Sequence, residues 1–150
     1  MEKKIIFFDV DSTLYSHKTN GIPKSTLDAI DMARNNGYLI GLATGRSISL
    51  TNTLGIFDKI KFDYFVTING TLVLDKNQDI VFSLPCDKDA IQKIIDITDK
   101  RNLNFAFINK DEYYLYKKED YRVHLGYDPL HIPVPPKKDY KGEDIYQIML

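Results

Sequence analysis

Three short apolar runs alternate with two helical patterns over the first 70 residues. Residues 5–8, 38–43 and 64–68 are continuous apolar stretches, typical of strands buried on both faces. Between them lie a helical pattern over residues 23–37, with Pro at its start and Gly at its end, and a shorter one over residues 47–54. This β-α-β-α-β order predicts an α/β fold with a parallel sheet and right-handed crossovers.

The pattern changes after residue 70. Two short strand-like runs flank the polar turn at residues 75–78 and predict a hairpin. A helical pattern begins near residue 87, and its apolar residues share one face. Two further strand patterns follow, over residues 105–108 and 113–116. This mixture is typical of an α+β module.

We therefore expect a core over residues 1–82 and an α+β segment over residues 83–150. Four prolines in residues 129–136 predict a loop. Residues 145–150 form an apolar, strand-like ending. Because an unprotected apolar edge invites aggregation, and because three parallel strands are fewer than a sheet usually has, we expect the natural protein to continue beyond this chain.

Charge and cysteine content narrow the class of protein. Twenty basic and twenty-one acidic residues give a net charge of -1, so no basic excess indicates nucleic-acid binding. The single cysteine, Cys86, cannot form an internal disulfide and fits a reducing compartment. The apolar run at residues 5–8 is too short for a signal peptide or a membrane span. We expect a cytoplasmic protein without nucleic-acid or membrane partners.

Two carboxylates follow the first predicted strand in the sequence Asp9-Val10-Asp11-Ser12-Thr13-Leu14. Open α/β sheets bind ligands at the carboxyl ends of their parallel strands. The alternative is that Asp9 and Asp11 only cap a turn at the end of a strand. The hexapeptide favours a ligand-binding site over a simple turn.

A second polar group, Thr44-Gly45-Arg46, follows the second strand and opens the second helical pattern. A hydroxyl and backbone N–H groups at a helix N-terminus can bind phosphate. Alone, a Thr-Gly pair is more often simple turn chemistry. Its placement matters, because neighbouring parallel strands bring Asp9 and Thr44 to the same edge of the sheet.

Together these motifs resemble those of the haloacid-dehalogenase-like hydrolases. Residues 9–14 are similar to the first motif of that superfamily, and Thr44 stands where its second motif has Ser or Thr. Residues 43–46, followed by Thr-Ile-Asn-Gly at 67–70, resemble the Cof-type sugar-phosphate phosphatases. The resemblance implies a partial Rossmannoid parallel-sheet core with a partial inserted α+β cap. Ser12 departs from the Gly usual in the family, at some loss of turn flexibility.

The resemblance also implies roles for individual residues. Asp9 would be the nucleophile that forms an aspartyl-phosphate. Asp11 would be the general acid and then the general base. The Asp9 carboxylate and the Asp11 main-chain carbonyl would ligate Mg²⁺. Contacts to the phosphate would come from Thr44, Gly45, Arg46 and Asn69, although Asn69-Gly70 is equally consistent with a plain turn.

The implied function is Mg²⁺-dependent hydrolysis of small phosphorylated metabolites, with sugar phosphates as the expected substrates. The chain offers no third-motif Lys or Arg and no fourth-motif acidic pair in a core context, so we expect it to be weakly active or inactive alone. The alternative is a non-catalytic module that binds a phosphorylated ligand. A receiver domain is excluded, because Asp63 precedes the third strand instead of ending it. An open sheet edge would permit self-association.

The remaining candidates have simpler interpretations. No histidine spacing indicates a metal site, and loop or surface positions are expected for His17, His124 and His131. Cys86 is expected to be a small filler. Four tyrosines could line a substrate face, but packing within a sheet is favoured for Tyr113, Tyr114, Tyr116 and Tyr121.

Overall fold

The computed structural model describes residues 4–116, 121–127 and 133–149. The chain divides into two compact units, residues 1–83 and 84–150. In the described ranges no helix is long and apolar enough to cross a membrane. The helices are α1 (Lys24–Asn35), α2 (Ile48–Asn52), α3 (Lys88–Arg101) and α4 (Tyr121–Tyr127). The strands are β1 (Ile5–Phe8), β2 (Leu39–Ala43), β3 (Tyr64–Thr67), β4 (Leu72–Asp75), β5 (Ile80–Ser83), β6 (Ala106–Ile108), β7 (Tyr113–Tyr116), β8 (Lys137–Lys138) and β9 (Gln147–Met149).

Unit 1 is built on a five-stranded sheet in the order β1-β2-β3-β4-β5. The first three strands are parallel, as the alternating pattern predicted, and β4 and β5 form an antiparallel hairpin at the far side. Phe8 pairs with Leu42, and Ala43 pairs with Val66. The loops after β1, β2 and β3 therefore leave from one edge of the sheet, the carboxyl edge.

Strand β2 is the least exposed of the three parallel strands of unit 1. Ile40 and Leu42 are fully buried, as apolar residues of an interior strand should be. Between them, Gly41 leaves space for a neighbouring ring, because a Cβ at this position would lie 2.3 Å from a ring carbon of Phe7 on β1. Close packing at this point thus depends on a residue without a side chain.

Unit 2 is an α+β unit with a four-stranded sheet in the order β8-β7-β6-β9. Alternate residues of its strands point to opposite faces. One face packs against α3, with Phe107 and Tyr114 fully buried in its centre. The other face packs against Val123 of α4. Tyr114 and Tyr116 are core residues of the sheet, so packing is the correct interpretation for these two, whereas Tyr121 is exposed.

Element ends differ from the sequence-based expectation at several points. The third strand ends at Thr67, because Ile68 and Asn69 have φ values of 51° and 56° and turn the chain away from the sheet. The second helix has only five residues and begins at Ile48. The last strand begins at Gln147, and Leu150 lies outside the described residues.

The segment between β7 and β9 shows the largest differences. Helix α4 was not predicted, since its seven residues carry no clear apolar period. Residues 133–136 of the predicted proline-rich loop have no regular structure, and residues 129–132 lie outside the described part of the chain. Lys137–Lys138, directly after that loop, forms a short strand parallel to β7 that was not predicted. Pairing with β7 overrides the polar composition of this dipeptide.

Candidate active site

Two buried side chains anchor the loop after β1 to the core of unit 1. Val10 and Leu14 are fully buried, and the Val10 carbonyl accepts hydrogen bonds from the N–H groups of Leu14 and Tyr15, at 3.1 and 2.9 Å. Ser12 adopts a left-handed conformation, with φ of 63°, which a glycine would adopt more easily. This tight turn leaves Asp9 exposed and Asp11 partly exposed at the carboxyl edge.

The carboxylate of Asp11 is held by two cationic or ionisable side chains. Arg46 donates from Nε to Oδ2 and from Nη2 to Oδ1, both at 2.9 Å. His17 places Nε2 2.7 Å from Oδ1. Hydrogen bonding from Arg46 is the main reason that the pKa of Asp11 lies below its usual value, since partial burial opposes the shift and His17 adds to it. Asp11 is therefore an anion in this arrangement.

Asp9 has a different environment from Asp11. Its side chain is exposed, and within the described residues its carboxylate takes part in no hydrogen bond or ion pair. A carboxylate without a partner retains all its lone pairs. Of the two acidic residues, Asp9 is therefore the one that is free to approach a ligand.

The Thr44–Arg46 loop uses its own polar groups to fix its shape. The Thr44 N–H donates to the Val66 carbonyl at 2.9 Å, and the Arg46 N–H donates to Thr44 Oγ1 at 3.1 Å. Helix α2 begins only after this loop, with Ser47 as its N-cap residue. The Thr44 N–H and the Arg46 N–H both already have acceptors in this structure.

Asn69 brings the third loop against the second. The Asn69 N–H donates to the Thr44 carbonyl at 3.3 Å, and the Ile68 N–H donates to the Arg46 carbonyl at 3.1 Å. The Asn69 side chain lies so close to Gly45 that a Cβ there would be 2.8 Å from Asn69 Oδ1. The loops after β2 and β3 are thus joined, and Arg46 joins the loop after β1 to them.

His17 is the site residue that the sequence analysis missed. It is six positions from Asp11, and no motif includes it. Its segment folds back because Ser16 and Gly21 exchange two backbone hydrogen bonds, at 2.9 and 3.2 Å, and its ring packs edge-on against Tyr15. Only this loop closure, which depends on backbone geometry, places the imidazole beside Asp11.

Metal-binding capacity is limited in the described part of the chain. No group of three or more His, Cys, Asp or Glu side chains is arranged there to hold a metal ion. Asp9 and the main chain of Asp11 offer oxygen, the ligand type that Mg²⁺ prefers, but Mg²⁺ requires close to six ligands. The residues present fit only part of a magnesium site.

The family of the chain follows from its sequence. A model of the haloacid dehalogenase-like hydrolases matches residues 6–150. The chain belongs to this family. The resemblance drawn from the Asp9 and Thr44 motifs, including its Cof-type character, is confirmed, and the fold of the chain is the partial Rossmannoid core expected.

Curated relatives of this chain are phosphatases by name. It is 29% identical over 152 residues to "Putative phosphatase YkrA" of Bacillus subtilis, a match covering 100% of this chain and 58% of that protein. It is also 29% identical over 109 residues to the 5-amino-6-(5-phospho-D-ribitylamino)uracil phosphatase YcsE of the same species, covering 71% of this chain and 43% of that one. The chain thus spans about half the length of these relatives.

Solved structures agree on the fold. A protein from Geobacillus kaustophilus superimposes with a TM-score of 0.87 at 23% identity, over 98% of this chain and 57% of its own. The subclass IIB sugar phosphatase BT4131 superimposes with a TM-score of 0.77 at 25% identity, over 97% of this chain and 57% of its own. Both matches include nearly all of this chain. They include little more than half of the matched protein.

Proposed function

We propose that this chain supplies the nucleophile-bearing part of a Mg²⁺-dependent phosphatase for small phosphorylated metabolites. The observation that carries the proposal is a pair of carboxylates on one tight turn at the carboxyl edge. The two differ in their hydrogen-bond partners. Asp9 is exposed and without a partner, whereas Asp11 is held by Arg46 and His17. Family membership supports assigning the two residues to different steps.

In the proposed reaction the Asp9 carboxylate attacks phosphorus and forms an aspartyl-phosphate, and the P–O bond to the leaving group breaks. Asp11 gives a proton to the leaving oxygen and later takes one from the attacking water. The anionic Asp11 of this structure suits the second step. For the first step it must carry a proton, which requires its contacts with Arg46 to loosen.

The phosphate would be bound by the linked loops after β2 and β3. The Thr44 hydroxyl hydrogen is available as a donor while its oxygen accepts from the Arg46 N–H. Gly45 and Asn69 lie beside it, and Arg46 could exchange one hydrogen bond with Asp11 for one with the phosphate. The fixed shape of these loops favours binding without a large ordering cost.

Mg²⁺ is part of the proposal for the whole protein. Asp9 and the Asp11 carbonyl would be two of its ligands, and the others would come from outside this chain or from water. What the ion would supply is positive charge between the anionic nucleophile and the anionic phosphate. We also propose that residues 1–82 are the core and residues 83–150 a cap segment, a division one residue from the boundary between unit 1 and unit 2.

The choice of substrate class rests on the relatives. The names of the curated relatives are those of phosphatases, one of them for a phosphorylated ribityl compound, and BT4131 is named as a sugar phosphatase. We propose phosphate monoesters of small polyols and sugars as the substrates.

The test is phosphate release from a panel of sugar phosphates by the 150-residue chain, with and without Mg²⁺. We expect slow turnover that needs Mg²⁺ and falls at least about 10³-fold in Asp9→Asn. Asp58→Asn, at another exposed aspartate of unit 1, is the matched control and should keep full activity. Turnover that survives in Asp9→Asn would contradict the assignment of the nucleophile.

The second candidate is a module that binds a phosphorylated ligand without hydrolysing it. It is favoured by the incomplete set of metal ligands in the described residues. If the folded chain binds sugar phosphates and releases no phosphate, the binding module is supported and independent catalysis by this chain is refuted. Weaker binding in Thr44→Val would then locate the ligand at the carboxyl edge.

A further inference from the structure

A groove of about 320 Å³ lies in unit 1 between α1 and the segment before β3. Its size is at the lower end of the range of small-molecule sites, about 300–1,000 Å³. Arg34 is in the last turn of α1, and Asp63, directly before β3, receives a backbone hydrogen bond from Ile40 near the start of β2. The groove is therefore at the amino edge of the parallel strands, opposite the candidate active site.

The floor of the groove is apolar. It includes Leu27 and Ile30 of α1 and Ile60, and the two isoleucines are each 3% exposed. The backbone below Ile60 is fixed, because its N–H donates to the Ile56 carbonyl at 2.9 Å. A hydrocarbon group could therefore contact this floor without rearranging the main chain.

The rim of the groove carries a positive charge excess. Arg34, Lys59 and Lys61 line it, against one acidic residue, Asp31. Arg34 is held by the Asp63 carboxylate and by the Lys61 carbonyl, so its guanidinium has a fixed position and retains unused donors. The Lys59 and Lys61 side chains are exposed and have no ion pair within the described residues. Two free ammonium groups above an apolar floor complement an amphipathic anion.

We propose that this groove binds a small organic anion with an apolar body and one anionic head, separately from the reaction at the carboxyl edge. The apolar body would lie on Leu27, Ile30 and Ile60, and the head would contact Lys59 and Lys61. A groove of this volume is too small for a protein segment, and the net charge of -1 does not favour a polyanion. Nothing in the proposed phosphatase reaction uses these residues.

The test uses naphthalene-1-sulfonate as the probe, with calorimetry for affinity and ¹³C-methyl NMR of the isoleucines for location. We expect saturable binding that shifts the methyl signals of Ile30 and Ile60. The double variant Lys59→Glu/Lys61→Glu should bind at least about tenfold more weakly, because two attractions become repulsions. Neutral naphthalene-1-sulfonamide should also bind at least about tenfold more weakly than the sulfonate.

The matched control is Lys76→Glu/Lys93→Glu, which changes the net charge equally at two exposed lysines that do not line the groove. It should keep the affinity within about twofold, since distant exposed charges are screened by salt. Circular dichroism establishes that both double variants are folded. Equal weakening in the two variants, methyl signal changes confined to Ile48 and Ile68 beside the carboxyl-edge loops, or no saturable binding would each overturn the proposal. Asp9→Asn should bind the probe as tightly as the unchanged protein. Failure of the phosphatase proposal and failure of the groove proposal can therefore be told apart.

Discussion

Tyr114 and Glu143 form a polar contact at the margin of the core of unit 2. The buried Tyr114 donates a hydrogen bond from its hydroxyl to the Glu143 carboxylate. Burial, together with this carboxylate, raises the pKa of Tyr114 above its usual value. Burial alone would raise the pKa of Glu143, but hydrogen bonds from Tyr114 and from the Lys141 N–H lower it overall. The contact therefore stabilises the ionised form of Glu143.

This contact predicts a stability difference that depends on pH. Because the pKa of Glu143 is lower in the folded protein than the usual value of about 4.3, its contribution is present above that value and is lost as pH falls through the folded pKa. Tyr114→Phe should reduce the free energy of unfolding by about 1 kcal/mol at pH 7 and by less at pH 3. Urea unfolding at both pH values measures this.

A double-mutant cycle with Glu143→Gln isolates the contact between the two side chains from other effects of each change. The coupling free energy between positions 114 and 143 should be larger at pH 7 than at pH 3. A coupling that is equal at the two pH values would show that the charge of Glu143 does not contribute.

Some residues of the candidate site were recognisable from sequence and others were not. Asp9, Asp11 and Thr44 follow strands whose apolar runs are plain in the sequence, so their common edge was predictable. Arg46 was singled out as a phosphate contact, but its pairing with Asp11 depends on the side-chain path across two loops. The contact of His17 depends on closure of the Ser16–Gly21 loop, for which the sequence gives no period or motif.

At the scale of elements, α3 has the clearest signals at its ends. Asp87 is its N-cap residue, and Oδ1 accepts from the Ala90 N–H at 2.9 Å. Asn102 ends it in the left-handed conformation, with φ of 54°. These are the residue types expected at such positions, and the start of this helix was predicted within one residue.

The N-cap of α3 gives a prediction for this element. Asp87→Ala should lower the free energy of unfolding of unit 2 by about 1 kcal/mol, because an N–H of the first turn loses its acceptor. Asp87→Asn is the matched control. It should lower the free energy of unfolding by only a few tenths of a kcal/mol, since its side-chain oxygen can still accept the hydrogen bond. Urea unfolding monitored by circular dichroism distinguishes them. Equal losses in the two variants would mean that charge, and not the capping hydrogen bond, is responsible.

Elements without such signals were the ones placed wrongly or missed. β8 consists of Lys137–Lys138 and exists because β7 offers a free edge, with the Leu115 N–H donating to the Pro136 carbonyl at 2.9 Å. Helix α4 is short, and Val123 is its buried contact with the sheet. In both cases tertiary contacts decide the local structure, and propensity within the segment does not.

At the scale of the whole molecule, the sheet of unit 1 ends in an unusually apolar edge. All four residues of β5 are exposed, and three of them, Ile80, Val81 and Phe82, are large and apolar with exposures of 50–58%. Leu84 continues the patch at 61%. The strand pairs with β4 on one side and is last in the order of its sheet. It carries none of the charges that commonly protect an edge.

We expect this edge to make the chain self-associate as its concentration rises. Val81→Lys should reduce the association, because a charge on an edge strand opposes pairing with another strand. Sedimentation velocity over a concentration series measures the change. Ile97→Lys is the control, since Ile97 is 51% exposed on α3 and not on the sheet of unit 1. A monomer at every concentration, or equal effects of the two substitutions, would exclude the β5 edge as the contact.

The close contact between Gly45 and Asn69 affects which substitutions these two positions can accept during evolution. Because a Cβ at position 45 would lie 2.8 Å from Asn69 Oδ1, any side chain there requires the exposed Asn69 amide to move. We expect aligned relatives with alanine or serine at position 45 to have glycine, alanine or serine at position 69. Residues 45 and 69 should therefore vary together among relatives and not independently.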